Sequence, residues 1–216
     1  MGCDIHLYVE VNKNGFWLSA DSDDYFYHDR NYTLFSILAD VRNSRNPELK
    51  SISEPRGIPS DCSPEVKSII KRWDCDGHSH SHFTAAELMA FDWTQKHPFK
   101  GFVNGPEFLD WQRTKRWQYP ESWLGICPPG RQELTSEEMD KRCEEISKEC
   151  SEPGVSYPDR NKFDAAVKAQ LGDTYCVIKW EMPYFDMAKD FLGKTLPKLW
   201  RLGKPEDVRI VFFFDN

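Results

Sequence analysis

Two short segments of the chain place histidine beside carboxylate in a spacing that can support chemistry. In the first segment Asp4 and His6 are two residues apart, and in the second His78 and His80 are two residues apart and follow Asp76. Residues i and i+2 of an extended chain point to the same side. Each pair can therefore present both side chains to one ligand, and the candidate catalytic groups are Asp4, His6, His78 and His80.

One interpretation of these residues is a metal centre. Neutral imidazole binds zinc, manganese or iron through nitrogen, and a carboxylate oxygen can complete the coordination. If the two segments converge in the fold, they can hold a divalent transition metal with one position open for water. Such a metal would lower the pKa of that water and polarise a phosphoryl or acyl group. The predicted ligands are His78, His80, Asp76 and Asp4.

A second interpretation needs no metal. Imidazole titrates near neutral pH, so one histidine can accept a proton while another donates one on the opposite side of a phosphodiester. Familiar two-histidine phosphodiesterases carry Ser or Thr two residues after each histidine. Here Tyr8 follows His6 and His80 follows His78, so that signature is absent.

Further polar side chains are predicted to contact a ligand. Tyr27 and Tyr32 could stack on a base while Arg30 holds a phosphate through a bidentate contact. Each candidate also has a structural alternative, such as a hydrogen-bonded pair at a sheet edge, a helix cap or ordinary packing. The predicted ligand-binding residues are Tyr8, Glu10, Tyr27, Arg30, Tyr32 and Arg56.

Composition limits the classes of protein to consider. The 216 residues are 39% hydrophobic and 14% aromatic, which is typical of a folded globular chain. A formal net charge of −7 disfavours binding to duplex nucleic acid. Seven scattered cysteines without a C-x-x-C pair indicate reduced thiols, and no apolar run approaches the ~18 residues of a membrane span. We therefore expect a cytoplasmic protein with no membrane partner.

Periodicity and capping residues predict the elements that position these groups. Residues 3–11 alternate strictly and 16–20 can return as the second strand of a hairpin across the turn NKNG. Cys3 falls on the apolar side of this alternation, which favours burial over acylation of the MGC start. Capping signals predict helices over about 31–43, over 64–73, from residue 85 onward and, highly charged, over 135–150.

The C-terminal third predicts a strand at 174–182, a helix and a strand at 208–216, which together favour a crossover onto one sheet. The last strand is apolar on both faces, which predicts a central position. Residues 98–132 lack a clear period and are predicted to be an irregular insertion packed by aromatic side chains. The chain is thus predicted to be a single α+β domain over 1–216, with a mixed sheet built from the hairpin and the strand-helix-strand unit and flanked by helices.

Several segments together resemble a family of small proteins encoded in bacteriophage and prophage genomes. The segments are MGCDIH, RNYTLFSILADVRN, PRGIPSDCSPEV, DGHSHS and VRIVFFFDN. They lie within residues 1–91 and the C-terminal third. The resemblance implies a phage protein made in the host bacterial cytoplasm, with a role in the contest between phage and host. It implies no catalytic residue, and His82 stands where we expect an aromatic residue.

Three functions remain open from the sequence. The favoured one is a hydrolase of the phosphoesterase type that acts on a nucleotide-like small molecule, with His6, His78 and His80 in acid-base or metal chemistry. The second is a counter-defence protein that binds and sequesters a nucleotide signal without chemistry. The third is an acidic protein that docks on a host protein and inhibits it, and a homo-oligomer is left open.

Overall fold

The computed structural model describes residues 2–20, 26–43, 49–114, 119–152 and 157–216. The chain divides into two compact units, one formed by Met1–Gln95 with Pro183–Asn216 and the other by Lys96–Met182. Helices and strands occur in both units, so the predicted α+β class is confirmed. The sequence prediction treats 1–216 as one domain, and each compact unit is described by itself.

The first unit is built on a four-stranded antiparallel sheet. Its strands are β1 (Asp4–Lys13), β2 (Phe16–Ser19), β3 (His78–Thr84) and β7 (Val208–Asp215), in the order β2-β1-β7-β3. The predicted hairpin is confirmed, because β1 and β2 pair across Asn14 and Gly15. Both turn residues have positive φ, 54° and 87°, which is the backbone that an Asn-Gly pair favours in a two-residue hairpin turn. The histidine-rich run forms strand β3.

Strand β7 lies between β1 and β3, which confirms the predicted central position. On one face of the sheet, Phe212 and Phe214 pack with the apolar side of β1 and with helix α1 (Tyr32–Ala39). Asn31 caps α1 as predicted, but residues 34–39 are all buried, so α1 is a core helix rather than an amphipathic one. The other face of the sheet is covered by helix α2 (Pro64–Trp73), whose Val66 and Ile70 pack with Val211 and Phe213.

The remaining helices of the first unit are short. They are α3 (Ala85–Ala90), α7 (Tyr184–Met187), a π-helical turn (Phe191–Thr195) and α8 (Leu196–Trp200). The predicted start signals are confirmed for two helices. Ser63 caps α2 with Pro64 at its first turn, and Thr84 forms a capping box with Glu87 at α3.

The second unit contains a three-stranded sheet and three helices among its described residues. The elements are β4 (Lys96–Asn104), α4 (Gly105–Arg113), β5 (Gln132–Leu134), α5 (Ser136–Cys150), α6 (Arg160–Leu171) and β6 (Thr174–Pro183). The sheet order is β4-β6-β5, and β5 runs parallel to β6. The charged helix predicted over 135–150 is confirmed, and it buries a stripe formed by Met139, Cys143, Ile146 and Cys150.

Two predictions about this architecture are wrong. Residues 98–132 are not an irregular insertion throughout, because β4 and α4 occupy much of that stretch. Pro98 and Gly101 interrupt the alternation of β4, whereas the capping box from Asn104 to Glu107 marks the start of α4. The C-terminal strands do not form a crossover onto one sheet either, because β6 and β7 belong to different sheets.

A buried ion pair connects the sheet of the first unit to helix α2. The Arg209 Nε atom on β7 donates to Glu10 Oε2 on β1 at 2.7 Å, and both side chains are almost completely buried. Glu10 Oε1 accepts from the backbone N–H of Ser63 at 2.7 Å, and Arg209 Nη1 donates to Asp61 Oδ1 at 2.8 Å. Burial raises the pKa of Glu10, but hydrogen bonds from Ser63 and Arg209 outweigh it and hold that pKa below its ordinary value.

We expect Glu10→Ala to destabilise the protein strongly, because it leaves the buried Arg209 guanidinium with Asp61 as its remaining carboxylate partner among the described residues. Removing one member of a buried ion pair costs about 3–5 kcal/mol of unfolding free energy. Urea denaturation at pH 7, followed by circular dichroism, measures the change.

The control for this experiment is Asp4→Ala, which removes a carboxylate from an exposed pair with Arg30 and should change the urea midpoint far less. The folded-state pKa of Glu10 is below its ordinary value of 4.5, so its stabilisation is present above that pH and is lost as the pH falls through the folded-state pKa. The difference between wild type and Glu10→Ala should therefore shrink in acid. Equal urea midpoints for the two variants at pH 7 would contradict the assignment.

Candidate functional site

The face of the sheet that α2 covers also carries the polar side of β1. The β1–β7 register places His6 opposite Phe213 and Asp4 opposite Asp215. Tyr8 lies opposite Val211 in the same register. At the Glu10 end this face is buried, whereas Asp4 and His6 are partly exposed. The candidate site is therefore the open end of this face.

Two of the predicted histidines lie on either side of one phenyl ring. The His6 ring stacks on the Phe213 ring with centroids 4.9 Å apart, and the His80 ring stacks on it at 5.3 Å. Since β1 and β3 flank β7 on opposite sides, the two imidazoles are separated by two strand spacings, roughly 9–10 Å. The two predicted segments are thus brought to the same face, with Phe213 between them. The rings of His6, Phe213 and His80 are called the ring row below.

A β-bulge separates His78 from this row of rings. The β3–β7 register shifts between His78 and Ser81, and Ser79 adopts a positive φ of 50°. His78 lies opposite Phe214, whose side chain packs into the other core, and the two ring centroids are 6.1 Å apart. The predicted alternation that points His78 and His80 to one side is therefore wrong, because the extra residue of a bulge changes the face.

The segment after α2 borders the ring row. Trp73, the last residue of α2, places its ring 4.1 Å from that of His6 and 5.8 Å from that of Phe213. The chain then passes close to Phe213 at Gly77, where a Cβ atom would lie 3.2 Å from the phenyl ring and 3.5 Å from His80 Nε2. An aromatic wall and a close backbone segment thus bound the space beside both imidazoles.

The carboxylate nearest to His6 is Asp215. Its Oδ2 atom is 3.4 Å from His6 Nε2, and its Oδ1 atom accepts from the backbone N–H of Asp4 at 3.1 Å. His6 Nε2 is buried and makes no hydrogen bond to any described residue, so the contact with Asp215 is a close approach without hydrogen-bond alignment. A carboxylate at this position can orient the imidazole.

The carboxylate of Asp4, predicted to face a ligand or a metal, is instead bound by Arg30. Its carboxylate accepts from Arg30 Nε at 2.8 Å and from Arg30 Nη2 at 2.6 Å, a bidentate pair at the surface. This pairing lowers the pKa of Asp4. Arg30 is in turn bound to protein rather than open to a ligand phosphate, although half of its side chain is exposed.

Three other predicted ligand residues have structural partners. Glu10 belongs to the buried pair with Arg209. Tyr27 is a core residue that meets Phe191 edge to face, and burial raises its pKa. Arg56 donates to Glu87 Oε1 at 2.6 Å and its guanidinium lies 4.4 Å from the Phe83 ring.

The last two predicted ligand residues lie at the edges of this region. Tyr8 is partly buried and stacks toward Phe213 at 6.3 Å, so it adjoins the ring row. Tyr32 is 40% exposed at the start of α1 and packs against Phe35. His82, on β3, donates from Nδ1 to Gly57 O at 3.1 Å and so anchors the 53–57 loop beside the strand.

The predicted metal ligands are not assembled. Within the described residues, no group of three or more His, Cys, Asp or Glu side chains has the arrangement to hold a metal ion. The reason is local: the bulge moves His78 to the other face, Arg30 binds Asp4, and Asp76 is exposed in the turn after α2. The prediction that these residues together bind zinc, manganese or iron is therefore wrong.

The two imidazoles of the ring row differ in environment. Burial lowers the pKa of His80 below its ordinary value of 6.5, and the nearby His78 lowers it further. His6 instead has a carboxylate beside its Nε2 atom. A neutral imidazole and a carboxylate-oriented imidazole on either side of one ring are suited to proton acceptance and donation.

Sequence reasoning missed Trp73, Phe213 and Asp215. The last two were accessible from the run VRIVFFFDN, because Phe213 and Asp215 alternate onto one face of the terminal strand. Because nearly every residue of that run is apolar, alternation of side chains does not distinguish its two faces. Its pairing with β1 depends on the tertiary structure. Trp73 could be recognised only once α2 was placed on the sheet.

Comparisons with protein-family models, with curated proteins and with solved structures find no match to this chain. The likeness to a phage-encoded family stays a prediction. What the site can do must therefore be inferred from its own residues. Within the described residues no helix is both long and apolar enough to cross a membrane.

We expect His78→Gln to raise the pKa of His80. Burial is the larger cause of the low pKa and persists in this variant, whereas the repulsion from a charged His78 is removed. A pH titration of the His80 ring signals by NMR measures the shift. His82→Gln is the matched control on the same strand and should leave that pKa in place; an unchanged or lower value in His78→Gln would contradict the proposed coupling.

Proposed function

We propose that the protein is a phosphoesterase of the metal-free, acid-base type that acts on a nucleotide-like small molecule. The single observation that carries this proposal is the placement of His6 and His80 on either side of Phe213, on one face of the sheet. His80 is assigned as the general base, His6 as the general acid and Asp215 as the group that positions His6.

The spacing of the two imidazoles favours phosphoryl chemistry. In an in-line displacement the attacking and leaving oxygens lie on opposite sides of phosphorus. Hydrogen bonds of about 2.6–3.2 Å from each oxygen to an imidazole extend this line at both ends. The resulting span is comparable with the separation of the two rings across Phe213, so one ester can contact both His6 and His80.

The protonation state of His80 follows from the surroundings of its ring. Burial and His78 lower the pKa of His80, which keeps it neutral and able to accept a proton near pH 7. Neutral His80 takes a proton from water as the water oxygen attacks phosphorus. Protonated His6 gives its proton to the leaving oxygen as the P–O bond breaks. The products are a phosphate monoester or phosphate and an alcohol, with no net change in protons on the two histidines after they exchange with solvent.

The aromatic side chains favour a substrate with a planar base. The Trp73 ring contacts the His6 ring and Trp73 is partly exposed, and Tyr8 adjoins Phe213. Stacking of a base on an aromatic side chain contributes about 1–3 kcal/mol in nucleic-acid binding proteins. A nucleotide could therefore be held by its base at Trp73 while its phosphoester lies between the two imidazoles.

The test uses bis(p-nitrophenyl) phosphate and a panel of linear and cyclic mono- and dinucleotides as substrates. We expect His6→Phe and His80→Phe each to lower kcat by roughly 10²-fold or more, because each removes one proton transfer. A phenyl ring preserves stacking on Phe213, so the fold is retained. His28→Phe, at an exposed position, is the control and should leave the rate unchanged.

The pH profile gives an independent check. His80 must be neutral to act as a base, so activity should fall as the pH drops through a value below 6.5. In His78→Gln this acid limb should move to higher pH. Absence of turnover by the wild type on the whole panel, or equal rates in wild type and His80→Phe, would refute the enzymatic assignment.

A second candidate function is binding of a nucleotide signal without turnover, which the likeness to phage proteins would explain. It is favoured by the Trp73 ring and the Gly77 backbone, which lie beside the two imidazoles and can hold a ligand by stacking and packing without any chemistry. The nucleotide panel separates the two functions: a sequestering protein binds a nucleotide in calorimetry and releases it unchanged after heating. Trp73→Ala should then weaken binding about tenfold or more.

A further inference from the structure

An apolar groove lies in the first unit, between the end of α3 and the turn that follows α8. It has a volume of about 270 Å³ and is lined by Met89, Trp200, Gly203 and Pro205. Trp200 Nε1 donates to Met89 Sδ at 3.0 Å, so the two walls are in contact. Trp200 is 53% exposed and Met89 is 44% exposed, so both side chains present apolar surface to solvent.

The groove is bordered by basic residues in an otherwise acidic chain. Residues 194–207 contain four Lys or Arg and two Asp or Glu, whereas the whole chain carries −7. Lys194 pairs with Asp190, and Lys198 lies 6.0 Å from the Phe26 ring. Arg201 and Lys204 are exposed and form no ion pair with any other residue that the structure describes.

The shape of the groove and the charge beside it identify one class of occupant. An apolar cavity of about 150 Å³ holds a benzene molecule, so the groove has room for a Phe, Leu or Trp side chain. Carboxylates that flank such an anchor would meet Arg201 and Lys204, and an arginine can bind a carboxylate through two parallel hydrogen bonds. We infer that the groove is a docking site for an acidic peptide segment of another protein that inserts one large apolar side chain beside Trp200.

Other polyanionic surfaces fit this region less well. A membrane surface is bound by an amphipathic helix that lies flat on it with a broad apolar face. Helix α8 has only five residues and contributes Trp200 alone to the small, open apolar groove. A nucleic-acid backbone would be repelled by the net charge of −7. A short acidic peptide can place its apolar side chain in the groove and its carboxylates beside Arg201 and Lys204.

The test is fluorescence anisotropy with a fluorescein-labelled peptide that has one Trp at its centre and Asp or Glu on both sides. Two matched peptides complete the set, one with Ala in place of Trp and one with Lys in place of the acidic residues. We expect the acidic Trp peptide to bind, its affinity to fall as salt is raised, and both matched peptides to bind at least about tenfold more weakly.

The variants assign the binding to the groove. Trp200→Ala removes one wall of the groove. Arg201→Glu combined with Lys204→Glu reverses the charge beside it. Each change should weaken binding of the acidic Trp peptide about tenfold or more. Lys162→Glu with Lys168→Glu makes the same change in net charge at exposed positions of α6 and should leave binding within twofold. All of these positions are exposed, so the folded state is retained, which thermal unfolding verifies.

Several outcomes would overturn the assignment. If the Ala peptide binds as tightly as the Trp peptide, no apolar side chain enters the groove. If the α6 control variant loses as much affinity as the groove variant, the effect comes from net charge alone. Binding to phosphatidylserine vesicles in preference to the peptide would point to a lipid surface. A dimer in sedimentation velocity that Trp200→Ala abolishes would make a second copy of the chain the occupant.

Discussion

The buried pair between Glu10 and Arg209 is the interaction on which the first unit depends. It joins β1 to β7 inside the sheet and, through Ser63 and Asp61, joins both strands to the start of α2. A carboxylate and a guanidinium at this depth persist only when each is hydrogen-bonded. The same pair therefore sets the position of α2, and with it the position of Trp73 at the other end of that helix.

The ring row explains why the polar side of β1 is not simply a solvent-facing surface. Of its four polar side chains, Asp4 binds Arg30, His6 stacks on Phe213, Tyr8 packs beside Val211 and Glu10 forms the buried pair. Phe213 keeps the two imidazoles apart while fixing their planes. A separation of this kind opposes shared coordination of one ion and suits proton transfer at the two ends of a substrate bond.

The apolar groove beside Trp200 belongs to a different part of the first unit and uses different chemistry. The groove offers an apolar recess with the exposed side chains of Arg201 and Lys204 beside it. The ring row instead offers two imidazoles next to the Trp73 ring. A protein with both features can bind a partner without occupying the histidines. The proposed activity of one region and the proposed binding at the other are therefore separable by substitution.

The sequence by itself determined the local elements of this protein. The Asn-Gly turn, the caps at Ser63, Thr84 and Thr135, and the apolar terminal strand were readable because they depend on neighbouring residues. Tertiary structure alone decided the site. Strand register paired His6 with Phe213 and brought Asp215 to it, a bulge removed His78 from the face of His80, and Arg30 bound Asp4. Register and bulges arise from packing between segments far apart in the chain, so alternation within one segment could not reveal them.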